Sequence, residues 1–122
     1  MIDFGAKNGY EVLKGIIDSD EGSKRLGEIA LIPYHSSINE LKTLFYNTLY
    51  DENASCHMAL GIGFSECIKG GIDMNKEELF KKGINDSLVH VDFMMGTEDL
   101  MIDGILEDGS HVKIFENGNF VF

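Results

Sequence analysis

The sequence predicts an α+β fold, one compact domain of short helices followed by a C-terminal antiparallel β-meander, and three observations carry that expectation. The last third alternates apolar runs with two turn dipeptides, Asp108-Gly109 and Asn117-Gly118, which favour the left-handed backbone of tight hairpin turns. The earlier part places apolar residues three and four apart, the period of a helix face. The chain has 122 residues without linker, internal repeat or low-complexity stretch, and a domain of that length buries roughly two-thirds of the surface its unfolded chain exposes.

Each element follows from local pattern. Tyr10, Val12, Leu13, Ile16 and Ile17 form a helical stripe behind Asn8 and Gly9 as cap residues. A polar break at 18–22 leads into a strand over 26–32, interrupted by Glu28 and ended by Pro33. Ser36 or Ser37 caps a helix carrying Ile38, Leu41, Leu44 and Phe45. The stretch 47–53 is polar and turn-like, and 54–62 is apolar except for His57, closing on Gly61 and Gly63. Asn75 caps a helix over 76–82 whose first turn holds Glu77 and Glu78, with Gly83 at its end. Strands over 88–94, 100–106, 110–115 and 119–122 complete the meander.

Composition narrows the function classes. A hydrophobic fraction of 43% with 25% charged residues argues against disorder and against a fibrous architecture. Ten basic against 21 acidic residues leave a charge of −11, which repels a polyphosphate backbone and an anionic membrane surface alike, so neither nucleic acid nor membrane is expected as a partner. The acidic balance is compatible with divalent cations or an amine-bearing substrate. No apolar run of about 18 residues occurs, and the first ten residues have neither the basic nor the apolar region of a secretion signal. A cytoplasmic protein is the expectation, with Cys56 and Cys67, which lack CxxC spacing, as reduced thiols.

The chemistry concentrates in a few residues. In the run Val89-His90-Val91-Asp92-Phe93, strand alternation puts His90 and Asp92 on one face with Cβ atoms about 6–7 Å apart, close enough to converge on one divalent ion. Glu28, His57, His90 and Asp92 each interrupt an otherwise apolar segment, where an unpaired charge costs several kcal/mol. Glu52 lies five residues before His57 and is a further candidate. Carboxylates and neutral imidazoles suit zinc, cobalt or manganese, and a carboxylate-rich set supports two ions about 3.5–4 Å apart. Each residue also has an ordinary alternative: Glu28 paired with Lys24 or Arg25, His57 bonded to a core carbonyl, Glu52 ending a loop. No HExxH, GxSxG or GxxxxGK[ST] motif occurs, Gly61-Ile62-Gly63 lacks the third glycine of a dinucleotide loop, and Ser65, Asp103 and His111 have no triad spacing.

Four segments together are more specific than any pair: Leu26-Gly27-Glu28-Ile29-Ala30-Leu31, the run from Phe45 to Ala54 containing Asp51-Glu52-Asn53, His57-Met58-Ala59-Leu60-Gly61, and the run from Asn85 to Met94. In order and spacing they resemble the C-terminal region of the aminopeptidase T family, over nearly the whole chain. The resemblance implies a cytoplasmic two-metal aminopeptidase acting on peptides. It implies Glu28, His57, His90 and Asp92 as metal ligands, Glu52 as a ligand or proton-handling group, and Glu28 or Glu52 as the proton shuttle. It further implies that residues 1–122 form a C-terminal metal-binding domain, without the family's N-terminal domain and an upstream glutamate ligand, and that Phe64 stands in place of a tyrosine linked to the metal site. Two functions are then expected: a metal-dependent aminopeptidase, with the isolated chain incomplete or weakly active, or a non-enzymatic metal-binding or oligomerisation module. Homo-oligomerisation follows from an apolar face left uncovered.

Overall fold

The computed structural model of the chain describes residues 3–122. Helix α1 (Tyr10–Ile17), strand β1 (Leu26–Ala30), helices α2 (Ser37–Glu40) and α3 (Thr48–Asp51), strand β2 (His57–Gly61), helix α4 (Lys76–Lys81) and strands β3 (His90–Met94), β4 (Ile102–Ile105), β5 (His111–Glu116) and β6 (Asn119–Phe120) follow in order. The fold class is α+β, as the sequence predicts. One sheet has the order β1-β2-β3 and a second the order β4-β5-β6. The expected meander is therefore β4 to β6, while β3, read from sequence as its first strand, pairs instead with β2. Chain contacts define two units, residues 3–29 with 58–92 and residues 30–57 with 93–122.

In the first unit, α1 buries Ile17 and the central strand buries Ala59 and Leu60. The Gly61 N–H donates to the Arg25 carbonyl at 2.9 Å and the Ile62 N–H to the Val89 carbonyl at 2.8 Å, so the end of β2 is tied to the chain on either side of it. Gly61 has φ +105°, and a Cβ there would lie 1.9 Å from the Val89 carbonyl oxygen, so only glycine fits. Buried Asn85 donates through Nδ2 to the Gly22 carbonyl at 2.8 Å and the Gly61 carbonyl at 2.6 Å. Helix α4 begins with the predicted Asn75, whose side chain accepts the Glu78 N–H while Glu78 accepts the Asn75 N–H. It ends one residue before the predicted limit, with Gly83 at φ +92°.

In the second unit, Ser36 caps α2 by accepting the Asn39 N–H at 3.1 Å. The helix stops at Glu40 instead of continuing to Phe45, because Lys42 turns to φ +47°. The stretch read as a plain turn forms α3 and a 3₁₀ turn, Glu52–Ala54. The Asp51 carboxylate organises it, accepting the N–H groups of Phe45 at 2.8 Å and Asn47 at 3.1 Å. Strands β4 and β5 pair antiparallel with Ile105 opposite His111, and β5 pairs with β6 through Phe115 and Phe120. Phe115 is fully buried, its ring 4.3 Å from that of Phe120. Asn117 and Gly118, both with positive φ, form the predicted hairpin turn.

Candidate metal centre

Three predicted donors meet in the first unit. Strand β1 presents Glu28 and strand β3 presents His90 and Asp92, all half-buried. The His90 Nε2 lies 3.5 Å from Glu28 Oε2 and 3.4 Å from Asp92 Oδ1. The other ring nitrogen, Nδ1, is 2.8 Å from the Ile62 carbonyl oxygen. A carbonyl only accepts, so Nδ1 carries the proton in this bond and, in the neutral ring, Nε2 turns its lone pair toward two carboxylates. Lone pairs so placed need a positive charge among them. Asp92 Oδ1 is buried without a hydrogen-bond partner, the single such side-chain atom found among the described residues, and an unsatisfied buried acceptor of this kind is costly unless an ion completes it. Two ligands each about 2.1 Å from a tetrahedral ion lie about 3.4 Å apart. Each carboxylate stands at about that separation from His90 Nε2, so the pairs His90–Glu28 and His90–Asp92 each suit shared ligation of a divalent metal.

The second unit holds the other two predicted donors. Glu52 opens the 3₁₀ turn after α3, and Ser36, whose hydroxyl donates to the Asn53 carbonyl at 2.9 Å, ties that turn to α2. His57 opens β2 and is fully buried, with Nδ1 3.1 Å from the Ser55 carbonyl. The ordinary reading of His57 as a core histidine thus holds for one nitrogen, and because a carbonyl only accepts, the same bond puts the proton of the neutral ring on Nδ1. Glu52 and His57 each offer a ligand atom within 4.8 Å of the other.

The scaffold around His90 comes from Asp20, which the sequence reading did not single out, and from Phe64, which it did. Asp20, in the polar break after α1, accepts the Leu88 N–H at 2.6 Å and the Ser87 hydroxyl at 3.0 Å, and on its own side the Ser23 N–H at 2.7 Å. Those bonds hold the lead into β3. The Leu88 N–H is the strongest of the groups that keep the Asp20 carboxyl below the usual aspartate range. Phe64 packs its ring, tilted by 48°, against the His90 imidazole, centroids 4.8 Å apart. The backbone carbonyls of Ile62 and Ser55 orient both imidazoles and carry no side-chain signal at all; an aspartate close before a buried serine was the one trace of the Asp20 anchor.

Imidazole and carboxylate donors at such spacings are the ligand chemistry of a divalent-metal protein. The chain matches the thermophilic metalloprotease (M29) family over residues 1–120 and belongs to that family. It is 52% identical over 122 residues to Aminopeptidase 2 of Geobacillus stearothermophilus, covering all of this chain and 30% of that protein. It is 43% identical to Aminopeptidase T of Thermus aquaticus, covering 98% of this chain and 29% of the relative. The solved structure of wild-type AmpT from Thermus thermophilus superposes with a TM-score of 0.86 at 41% identity, over 99% of this chain and 29% of that one. The chain thus spans about 30% of the length of the curated relatives it matches. No described helix is long and apolar enough to cross a membrane.

Proposed function

We propose that this chain carries the metal-binding part of an aminopeptidase, a hydrolase that removes N-terminal residues from peptides. The observation that supports it most directly is the juxtaposition of His90 with Glu28 and Asp92, with Asp92 Oδ1 buried and unpartnered. Glu28, His90 and Asp92, together with Glu52 and His57, are the residues we assign to holding one or two ions of zinc, cobalt or manganese.

Bound ions supply Lewis acidity toward the scissile carbonyl and a water acidic enough to attack at neutral pH. This chain's residues do the remainder. Glu28 or Glu52 accepts the proton of the attacking water and returns it to the leaving amine. Carboxylate charge in the same place attracts the free α-amino group of a peptide, which distinguishes an exopeptidase from an endopeptidase. The Ile62 and Ser55 carbonyls keep His90 and His57 in the tautomer that ligates through Nε2.

In this reading residues 1–122 correspond to the C-terminal metal-binding domain of the family, located in the cytoplasm and self-associating, with no nucleic-acid or membrane partner. A non-enzymatic metal-binding or oligomerisation module is the second reading, and Phe64, which brings no hydroxyl to the ring of His90, favours it. Metal analysis and peptide assays on the metal-loaded chain separate them. Near-stoichiometric metal that is lost in His90→Ala, with chelator-sensitive release of N-terminal residues, is the expected result. Metal bound without any release supports the module, and no metal after supplementation with zinc, cobalt and manganese overturns the assignment of the ligands.

A further inference from the structure

We propose that Asn85 is a positioning residue for His90, a role that rests on the reading of His90 as a metal ligand. Asn85 is buried in the connection between α4 and β3, five residues before His90. Its Nδ2 donates to two main-chain carbonyls, Gly22 at 2.8 Å and Gly61 at 2.6 Å, and its own main-chain carbonyl accepts the Gly63 N–H at 2.9 Å. Asn85 therefore holds the chain on both sides of Ile62. The peptide plane before Ile62 is fixed at its carbonyl edge by Asn85 Nδ2 and at its N–H edge by the Val89 carbonyl, 2.8 Å away. The plane after Ile62 is fixed at its N–H edge by the Asn85 carbonyl, and its carbonyl edge accepts the His90 Nδ1 proton at 2.8 Å. With both planes held, the Ile62 carbonyl cannot swing away from the imidazole. The hydrogen bond at one ring nitrogen decides which nitrogen is left bare for a metal, so the hold on Ile62 is a hold on His90. The second Nδ2 bond anchors the amide itself. Gly22 packs so closely on the neighbouring residue that a Cβ there would lie 1.9 Å from the Asp86 carbonyl oxygen. Both partners of Nδ2 are acceptors, so the position calls for an amide nitrogen with two protons, which an aspartate of the same shape lacks.

The test compares Asn85→Ala with Ile17→Ala, a substitution in the core of the same unit. Ring-nitrogen NMR spectra of the metal-free ¹⁵N-labelled proteins, at about pH 9 where an ordinary histidine is neutral, give the tautomer of His90, whose signals are identified by their loss in His90→Gln. The unaltered chain is expected to carry the proton on Nδ1. Asn85→Ala is expected to give a mixture with Nε2 partly protonated, and to weaken zinc about 10-fold in a competition titration. Ile17→Ala is expected to lower the thermal midpoint and leave both readings where they were. A lower midpoint in Asn85→Ala with the tautomer and zinc affinity unchanged would make Asn85 merely structural, and the ligand reading would stand. No zinc bound by the unaltered chain would overturn the ligand reading instead, and the tautomer would still decide whether Asn85 holds His90. Should Asn85→Ala fail to fold, zinc titration of the unaltered chain decides, because coupling between the metal and the clamp is reciprocal. The Asn85 Nδ2 signals are then expected to move together with the amides of Ile62 and Gly63, and Nδ2 signals that stay fixed while the His90 ring shifts would overturn the proposal.

Discussion

The Phe64 ring lies 4.8 Å from the His90 imidazole and is tilted 48° to it, although the resemblance to aminopeptidase T places a tyrosine at this position. The ring is a wall for the imidazole on a side that the Ile62 carbonyl does not touch. Phe64→Ala is expected to let His90 leave its ligating rotamer and to weaken metal affinity about 10-fold, the lower end for loss of an outer-shell partner. Phe64→Tyr keeps the wall and adds a hydroxyl, so metal affinity should be unchanged, while peptide release should rise by on the order of 10² if that hydroxyl stabilises the tetrahedral intermediate. Metal competition titration and a peptide assay on both variants check this pair. Equal metal affinity in all three proteins would remove Phe64 from the positioning of His90.

Asp92→Asn separates a metal ligand from a structural carboxylate. Asp92 Oδ1 is buried without a hydrogen-bond partner, so Asp92→Asn replaces a carboxylate acceptor that no donor satisfies with a neutral amide beside the same imidazole that Glu28 approaches. In the metal-free protein the thermal midpoint should stay the same or rise. In the metal-supplied protein the variant should lose the stabilisation that metal confers, about 2.7 kcal/mol at a concentration 100 times the dissociation constant. Thermal scans with and without zinc, each repeated with chelator, read both effects. A drop in the metal-free midpoint would mean that Asp92 is structural.

How much of this was legible in sequence depends on what signalled each feature. His90 and Asp92 share a strand, so alternation alone placed them together. Glu28 and His57 were visible as polar interruptions of apolar runs, and their three-dimensional placement came only from the order β1-β2-β3. That order was hidden because β3 has the same apolar alternation as the meander strands and no turn chemistry that names its partner. Helix α2 was overextended because its apolar spacing continued through Leu44 and Phe45, whereas the positive φ of Lys42 leaves no compositional mark. The 3₁₀ turn that bears Glu52 was hidden for a related reason, since Asp51 holds it through main-chain N–H groups. Backbone partners of that kind are invisible to residue patterns.

Asp20 gives the first unit a defined acid limit. Its carboxyl is held below the usual range by the Leu88 N–H first, with burial opposing and the Ser23 N–H and Ser87 hydroxyl adding to the effect. A group with a depressed folded-state pKa stabilises the fold fully above its unfolded pKa, about 3.9 for aspartate, and loses that contribution as pH falls through the folded value. Stability of the unaltered chain should therefore fall below about pH 4, and Asp20→Asn should show a shallower fall there together with a lower midpoint at neutral pH. Thermal midpoints between pH 2.5 and 7 measure it. The same acid slope in both proteins would show that other carboxylates set the limit.

Gly61 is where the sheet and the metal centre share one steric condition. At φ +105° a side chain is already strained, and its Cβ would lie 1.9 Å from the Val89 carbonyl oxygen and 2.7 Å from the carbonyl carbon. Both are backbone atoms, so no rotamer relieves the clash, and the chain at Val89 must move away from β2. That movement breaks the Ile62 N–H bond to Val89 and shifts the Ile62 carbonyl that orients His90. Gly83 provides the control, since its φ is +92° but nothing lies within 4 Å of its Cβ position. Gly83→Ala should cost only the left-handed backbone penalty, roughly 1–2 kcal/mol. Gly61→Ala should cost on the order of 3 kcal/mol or more and should also weaken metal binding. Denaturant unfolding of both variants, with metal titration of whatever remains folded, compares strain alone with strain plus steric exclusion. If the two substitutions cost the same, close backbone approach at Gly61 is not what sets the spacing between β2 and the chain that leads into His90.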